Sequence, residues 1–130
     1  MGKIRIYDTG GKEQTFDPEL FKATQSAMIG AATVTVAQLL GRVIDGTPTG
    51  AVNYQMPVAA TLIDAMPGVA VGDSFMFFIN NKAATAQTIT VTAGGATLDG
   101  TITVAQNVIR AFLVIITNIT TAAYYVYGLT

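Results

Sequence analysis

The sequence predicts a mainly β protein, an antiparallel β-sandwich of jelly-roll type with one or two short helices. Three observations carry that expectation. Short runs of alternating apolar residues and threonine recur along the chain, separated by Gly-, Pro- and Asn-containing turns. From Ala83 to Thr130 only Asp99 and Arg110 are charged, and most of the rest is Thr, Ala, Val and Ile. Two runs, Asp73 to Asn81 and Val108 to Ile116, carry apolar residues on both faces, Arg110 excepted.

The elements follow in order. Ile4 and Ile6 alternate with Lys3, Arg5 and Tyr7, the pattern of a half-exposed strand, and Gly10-Gly11 breaks it. Asp17-Pro18-Glu19 is a helix start: Asp caps, Pro fits the first turn, and Glu favours the positive end of the dipole. Leu20, Phe21, Ala23 and Ala27 give that helix an apolar stripe, and Gly30 stops it. Residues 1 to 29 hold most of the charge. They read equally as an arm or anchor and as a first strand and helix of the same domain; residues 30 to 130 form the β domain.

Thr33-Val34-Thr35-Val36 alternates as a strand, Ala37 to Leu40 allows one helical turn, and Arg42-Val43-Ile44 is the next strand. Gly46 to Gly50 is a loop, and Ala51 to Met56 a strand. Pro57 opens a short helix with Ala59, Leu62, Ile63 and Met66 on one face, and Pro67-Gly68 ends it. In the next strand Phe75, Phe77 and Ile79 point one way, Met76 and Phe78 the other. Ile89 and Val91 point inward from a run of threonines. Asp99-Gly100 signals a tight hairpin between 96–98 and 101–104. The last strand, Ala122 to Leu129, places Tyr124, Tyr125 and Tyr127 on both of its faces. The surplus apolar faces are covered either by neighbouring copies or by the short helices.

Composition narrows the function. At 130 residues the chain supports one domain with a real core. Charged residues are only 12%, about half the usual ~25%, so surface is either threonine-coated or buried in an oligomer. Net charge is −1 and the seven cations are scattered, which argues against nucleic acid. With no Cys there is no disulfide framework and no thiolate zinc site. The longest apolar run, Ala111 to Ile116, is far short of the ~20 residues that cross a bilayer. The polar start lacks a signal peptide's pattern, so synthesis in a host cytoplasm is expected.

Catalytic groupings are missing from the sequence. There is no His to activate Ser26 or Ser74. Asp45, Asp73 and Asp99 sit beside Gly, and Asp64 lies on a helix face, as structural aspartates do. Neither Gly2-Lys3 nor Gly11-Lys12 belongs to a phosphate loop. The expectation is a protein without enzymatic activity, cofactor or metal. The C-terminal tyrosines suit either an interface or a sugar platform, or simply fill a sheet edge.

A longer pattern runs through the β region. It comprises Thr47-Pro48-Thr49-Gly50-Ala51-Val52, then Met56-Pro57 through Pro67-Gly68, Val71-Gly72-Asp73-Ser74-Phe75 and Phe78-Ile79-Asn80-Asn81. It continues through Thr88 to Thr92, and Thr103-Val104-Ala105 ahead of Arg110-Ala111-Phe112. This pattern resembles small tailed-phage virion proteins of the capsid decoration (cement) or head-fibre type, over roughly residues 31 to 130. The resemblance implies a homotrimeric β-rich knob on the capsid surface of a virion, binding the major capsid protein. A cyclic trimer at a threefold position can clamp neighbouring capsomers by burying ~1,000 Å² or more per contact.

On that reading Ile4, Ile6, Phe16, Leu20 and Phe21 contact the capsid. Met76, Phe78, Arg110, Phe112, Tyr125 and Tyr127 form the subunit interface. Nucleic acid and membrane are not expected partners. The alternative is a phage fibre or receptor-binding module that recognises a cell-surface glycan.

Overall fold

A computed structural model describes residues 22–130 and the backbone of two N-terminal strands, β1 (Ile4–Tyr7) and β2 (Glu13–Phe16). These two pair antiparallel, with Ile4 opposite Phe16 and Tyr7 opposite Glu13. The rest is mainly β with two short helices. Six strands form one sheet: β3 (Thr24–Met28), β5 (Arg42–Gly46), β7 (Ser74–Asn81), β11 (Ile109–Asn118), β12 (Ala123–Gly128) and β9 (Thr97–Gly100), side by side in that order. Four form the second: β10 (Thr103–Val104), β8 (Ile89–Thr92), β6 (Val52–Gln55) and β4 (Ala32–Thr33). The helices are α1 (Val36–Gly41) and α2 (Ala59–Asp64).

The chain steps from one sheet to the other with nearly every strand. β3, β5 and β7 therefore lie in chain order and parallel, and so do β4, β6 and β8 in the second sheet. From β3 to β8 the backbone is a two-sheet parallel coil, with α1 and α2 set into its connections. The antiparallel pairs come afterwards: β10 on β8, and β11 between β7 and β12. Mixed sheets of this kind replace the wholly antiparallel jelly-roll order read from the sequence. Side-chain alternation is the same in parallel and antiparallel strands, so that distinction was invisible to the pattern.

Two local expectations also change. The chain from Thr24 is a strand, so no helical stripe runs through Ala23 and Ala27; the helix start at Asp17 lies outside the described residues. With β3 in the main sheet, a boundary at residue 29 does not separate an arm from the domain. The backbone carbonyl of Met28 accepts from Thr47 N at 2.9 Å and from the Tyr54 hydroxyl at 3.2 Å, and its side chain is in the core. The strand expected over 33–36 stops at Thr33 because Thr35 caps α1. Its hydroxyl accepts from Gln38 N at 3.1 Å, while Gln38 Oε1 accepts from Thr35 N at 2.8 Å. Arg42 closes α1 in the left-handed region (φ 77) and donates its N–H to Leu39 O.

The Asp99-Gly100 hairpin does not form. Both residues end β9, which pairs parallel with β12, whereas β10 joins the other sheet. Gly100 (φ 74) turns the chain between sheets, and it lies so close to Gly128 that a Cβ on either glycine would strike backbone.

The inner faces of both sheets share one core. Ile44, Phe77, Ile79, Phe112, Val114, Ile116, Tyr124 and Val126 come from the six-stranded sheet; Tyr54, Ile89, Val91 and Val104 come from the four-stranded sheet. Leu39 of α1 and Leu62 of α2 fill it from the connections. Phe77 and Phe112 stack at 5.0 Å across the β7–β11 pair. Polar groups inside are paired. The Tyr124 hydroxyl donates to Pro57 O at 2.6 Å, fastening the last strand to the start of α2. Asn81 Nδ2 donates to Gln87 O (2.8 Å) and Val104 O (2.9 Å), and its Oδ1 accepts from Ala83 N (3.0 Å).

Burial pushes the Tyr124 phenol well above its ordinary value of 10.0, and that of Tyr54 upward as well. A raised folded-state value leaves stability intact below pH 10 and erodes it above, as the unfolded chain releases protons the folded chain keeps. Chemical denaturation between pH 9 and 12 should show up to about 1.4 kcal/mol lost per pH unit for each such tyrosine. Tyr124→Phe should remove one share of that slope, and at pH 8 it should cost about 1–2 kcal/mol for the unpaired Pro57 carbonyl. Gly128→Ala should cost at least ~2 kcal/mol in urea unfolding, because its Cβ would meet the Thr101 carbonyl.

Candidate functional site: an apolar sheet face

The residues that alternate away from the core build the second face of the six-stranded sheet. The registers set them in rows. Val43, Phe78 and Ala111 lie side by side across β5, β7 and β11. In the next row Met76, Leu113, Tyr127 and Asp99 cross β7, β11, β12 and β9. The third row is Ser74, Ile115, Tyr125 and Thr97. Asp45, Asn80 and Ile109 form a more polar border, where Asn80 Nδ2 donates to Asp45 Oδ1 at 3.2 Å.

None of these side chains is buried within the described chain. Phe78 is 36% exposed and Ile109 65%, while Val43, Met76, Leu113, Ile115, Tyr125 and Tyr127 are half-buried by their own neighbours. The middle of the face is wholly apolar apart from two phenol hydroxyls. The tyrosines stack on each other, ring centroids 5.9 Å apart at 30°. Beside β5 and β7 the face dips into a groove of about 540 Å³, lined among the described residues chiefly by Val43, Met76, Phe78 and Leu113, with Arg42 and Ser74 at its rim.

A second cavity of about 420 Å³ lies at the end of the sheet, where Leu40, Met66, Val69 and Phe75 meet Arg42 and Asp73. Asp73 is committed to the backbone there, its carboxylate accepting from Ala70 N at 2.9 Å. Among the described residues no three of His, Cys, Asp and Glu gather where a metal ion could be held. No helix among them is long and apolar enough to cross a membrane.

Of the six residues expected at a subunit interface, Met76, Phe78, Tyr125 and Tyr127 come together on this face. Phe112 does not. It is 0% exposed, stacked on Phe77, and offers no surface to a partner. Its neighbours Ala111 and Leu113 take the outer positions, because strand alternation reverses at each residue. Arg110, one residue before Ala111, alternates to the side opposite those four. Its Nε donates to Thr103 O at 2.7 Å and its Nη1 to Leu129 O at 2.8 Å, so it clasps β10 and the tail after β12 to β11. Leu113 and Ile115 were not singled out from the sequence, although the doubly apolar run around Phe112 contained their signal; Val43 lies in the separate β5 run. The side chains of Ile4, Ile6, Phe16, Leu20 and Phe21, expected at the capsid, lie outside the described residues.

The two phenylalanines should separate in mutagenesis. Phe112→Ala should cost about 3–5 kcal/mol in urea unfolding at any protein concentration. Phe78→Ala should cost less than half as much in dilute protein, and its cost should grow with protein concentration if copies cover it.

Comparison with protein-family models, with curated proteins and with solved structures finds no match to this chain.

Proposed function

We propose that the chain is a non-enzymatic virion structural protein, a decoration or cement protein that binds the outside of a tailed-phage head as a homotrimer and stabilises contacts between capsomers. One observation carries the reading. On the outer face of the six-stranded sheet Val43, Met76, Phe78, Leu113, Ile115, Tyr125 and Tyr127 lie side by side, in a chain with 12% charged residues. Apolar faces of this extent on a small domain mark association surfaces. A cement needs large, rigid, uncharged contact area and no chemistry, and a two-sheet core with short turns supplies stiffness. The resemblance over residues 31 to 130 points the same way. The segment ahead of β3 then engages the major capsid protein through Ile4, Ile6, Phe16, Leu20 and Phe21.

A second reading has its own observation. The stacked pair of Tyr125 and Tyr127, with Asp99 opposite Tyr127 on β9, is a platform on which a sugar ring could lie. That arrangement suits a fibre or receptor-binding module.

Light scattering after size exclusion should give a mass of three subunits that persists on dilution. The purified protein should co-sediment with phage heads stripped of it. Leu20→Glu combined with Phe21→Glu should abolish co-sedimentation without changing the mass. A dilution-independent monomer overturns the trimer, and unchanged co-sedimentation of the double variant overturns the role given to the N-terminal segment. Binding on a glycan array, lost in Tyr125→Ala, would move the assignment to the second reading.

A further inference from the structure

Two aspartates of the chain, Asp45 and Asp99, precede glycine. The order matters chemically. The amide nitrogen one residue on can attack the aspartate's own side-chain carboxyl, and a glycine there puts no Cβ in the way. The fold treats the two pairs in opposite ways. Asp45-Gly46 lies in β5, paired with β3 on one side and with β7 on the other. Gly46 is buried, and the Asp45 carboxylate accepts from Asn80 Nδ2 at 3.2 Å. That carboxyl is held, and the peptide after it is packed on both sides.

Asp99-Gly100 ends β9, the last strand of its sheet, which is paired on one side only. Both residues are exposed to water. The Gly100 amide donates to Oδ1 of Asp99 itself at 2.7 Å. The nucleophile therefore already lies against the carboxyl group it would attack.

We infer that Asp99 isomerises spontaneously through a cyclic imide, and that the product releases the end of β9 from β12. Gly100 N attacks Asp99 Cγ. The amide hydrogen and a carboxyl hydroxyl leave together as water, and the imide closes. Water then adds back at one of the two imide carbonyls. Addition at Cγ restores aspartate. Addition at the main-chain carbonyl breaks its bond to Gly100 N, so that the chain now runs through Cγ and the former main-chain carbonyl becomes a free carboxylate. One water leaves and one returns, and no oxidant or reductant takes part.

The product does not fit where it forms. It lengthens the backbone by one carbon between Asp99 and Gly100, where Gly100 lies against Gly128. A Cβ on Gly100 would strike the Gly128 carbonyl, and a Cβ on Gly128 would strike that of Thr101. Backbones this close leave no space for an added methylene. The Gly100–Gly128 register and the hydrogen bond from Thr101 N to Gly128 O (3.1 Å) are lost as a result. The sheet then frays at the edge beside Tyr127, which lies opposite Asp99.

Incubating the purified protein for weeks in warm neutral buffer tests this. Trypsin then releases 83–110, whose only acidic residue is Asp99, and 43–82, which holds Asp45. Electron-transfer fragmentation tells the β-aspartyl linkage from the ordinary one in each peptide. The folded protein should accumulate at least tenfold more β-aspartyl at Asp99 than at Asp45, and incubation in urea should bring Asp45 up to the level of Asp99. Equal protection of the two sites in the folded protein overturns the inference. The aged protein should also unfold at lower urea than fresh protein. Asp99→Glu, whose longer side chain closes an imide far more slowly, should keep its midpoint through the same incubation. β-Aspartyl at Asp99 with an unchanged urea midpoint, or an equal loss in Asp99→Glu, overturns the release of β9.

Discussion

Strand β7 is the constraint on which the rest of the fold depends. It lies inside the six-stranded sheet, with β5 parallel on one side and β11 antiparallel on the other. Both of its edges must therefore be satisfied by segments that reach it from opposite ends of the sequence. Its inner face carries Phe77 and Ile79 into the core and its outer face carries Met76 and Phe78 to the surface. At its end Asn81 ties the loops around Gln87 and Val104 to the sheet through three hydrogen bonds. A parallel coil and an antiparallel meander are two different ways of winding a chain, and β7 is where they meet. The Phe77–Phe112 stack crosses that junction, which is why the most buried aromatic contact lies there.

Much of this was legible in the chain. The alternation in Ser74–Asn81 identified which residues enter the core and which leave it, and the two-sided pattern around Phe112 signalled that β11 also lies inside a sheet. The Pro-led helix with Ala59 and Leu62 inward was readable because its apolar spacing is helical. What escaped was pairing. A strand's period of two is the same whatever its neighbour, so nothing local distinguishes a β9 that joins β10 from a β9 that joins β12. Asp99-Gly100 has the chemistry of a hairpin turn, yet its left-handed glycine serves a crossing between sheets instead. Phe112 was misplaced for a related reason. A strand apolar on both faces does not say which face is the core, and only the position of Phe77 across the pair settles it.

The distribution of charge follows from the same geometry. Residues from Ala83 onward build β8 to β12, and in β11 and β12 the side chains fill the core or pave the outer face. A charge at most of these positions would be desolvated or would interrupt the apolar rows. The two that occur are placed where charge is tolerated. Arg110 spends two of its donors on backbone carbonyls left at the end of the sheet, and Asp99 sits on the edge strand, where a carboxylate discourages unwanted strand pairing. Low charge thus goes with the number of strands that carry apolar side chains on both faces.

The place of β9 also governs the order in which the molecule can be completed during synthesis. β3 and β4 open the two sheets, and β5 to β8 each find a sheet neighbour already made. β9 is the exception: Leu98 pairs with Val126, 28 residues further along the chain. Until β12 emerges from the ribosome, β9 has no partner and the edge it will occupy does not exist. The tyrosine rows mature at that same late moment, because Tyr125 and Tyr127 belong to the strand that receives β9. The tyrosine side of the outer face is therefore the last part of it to form, laid over strands that are already in place.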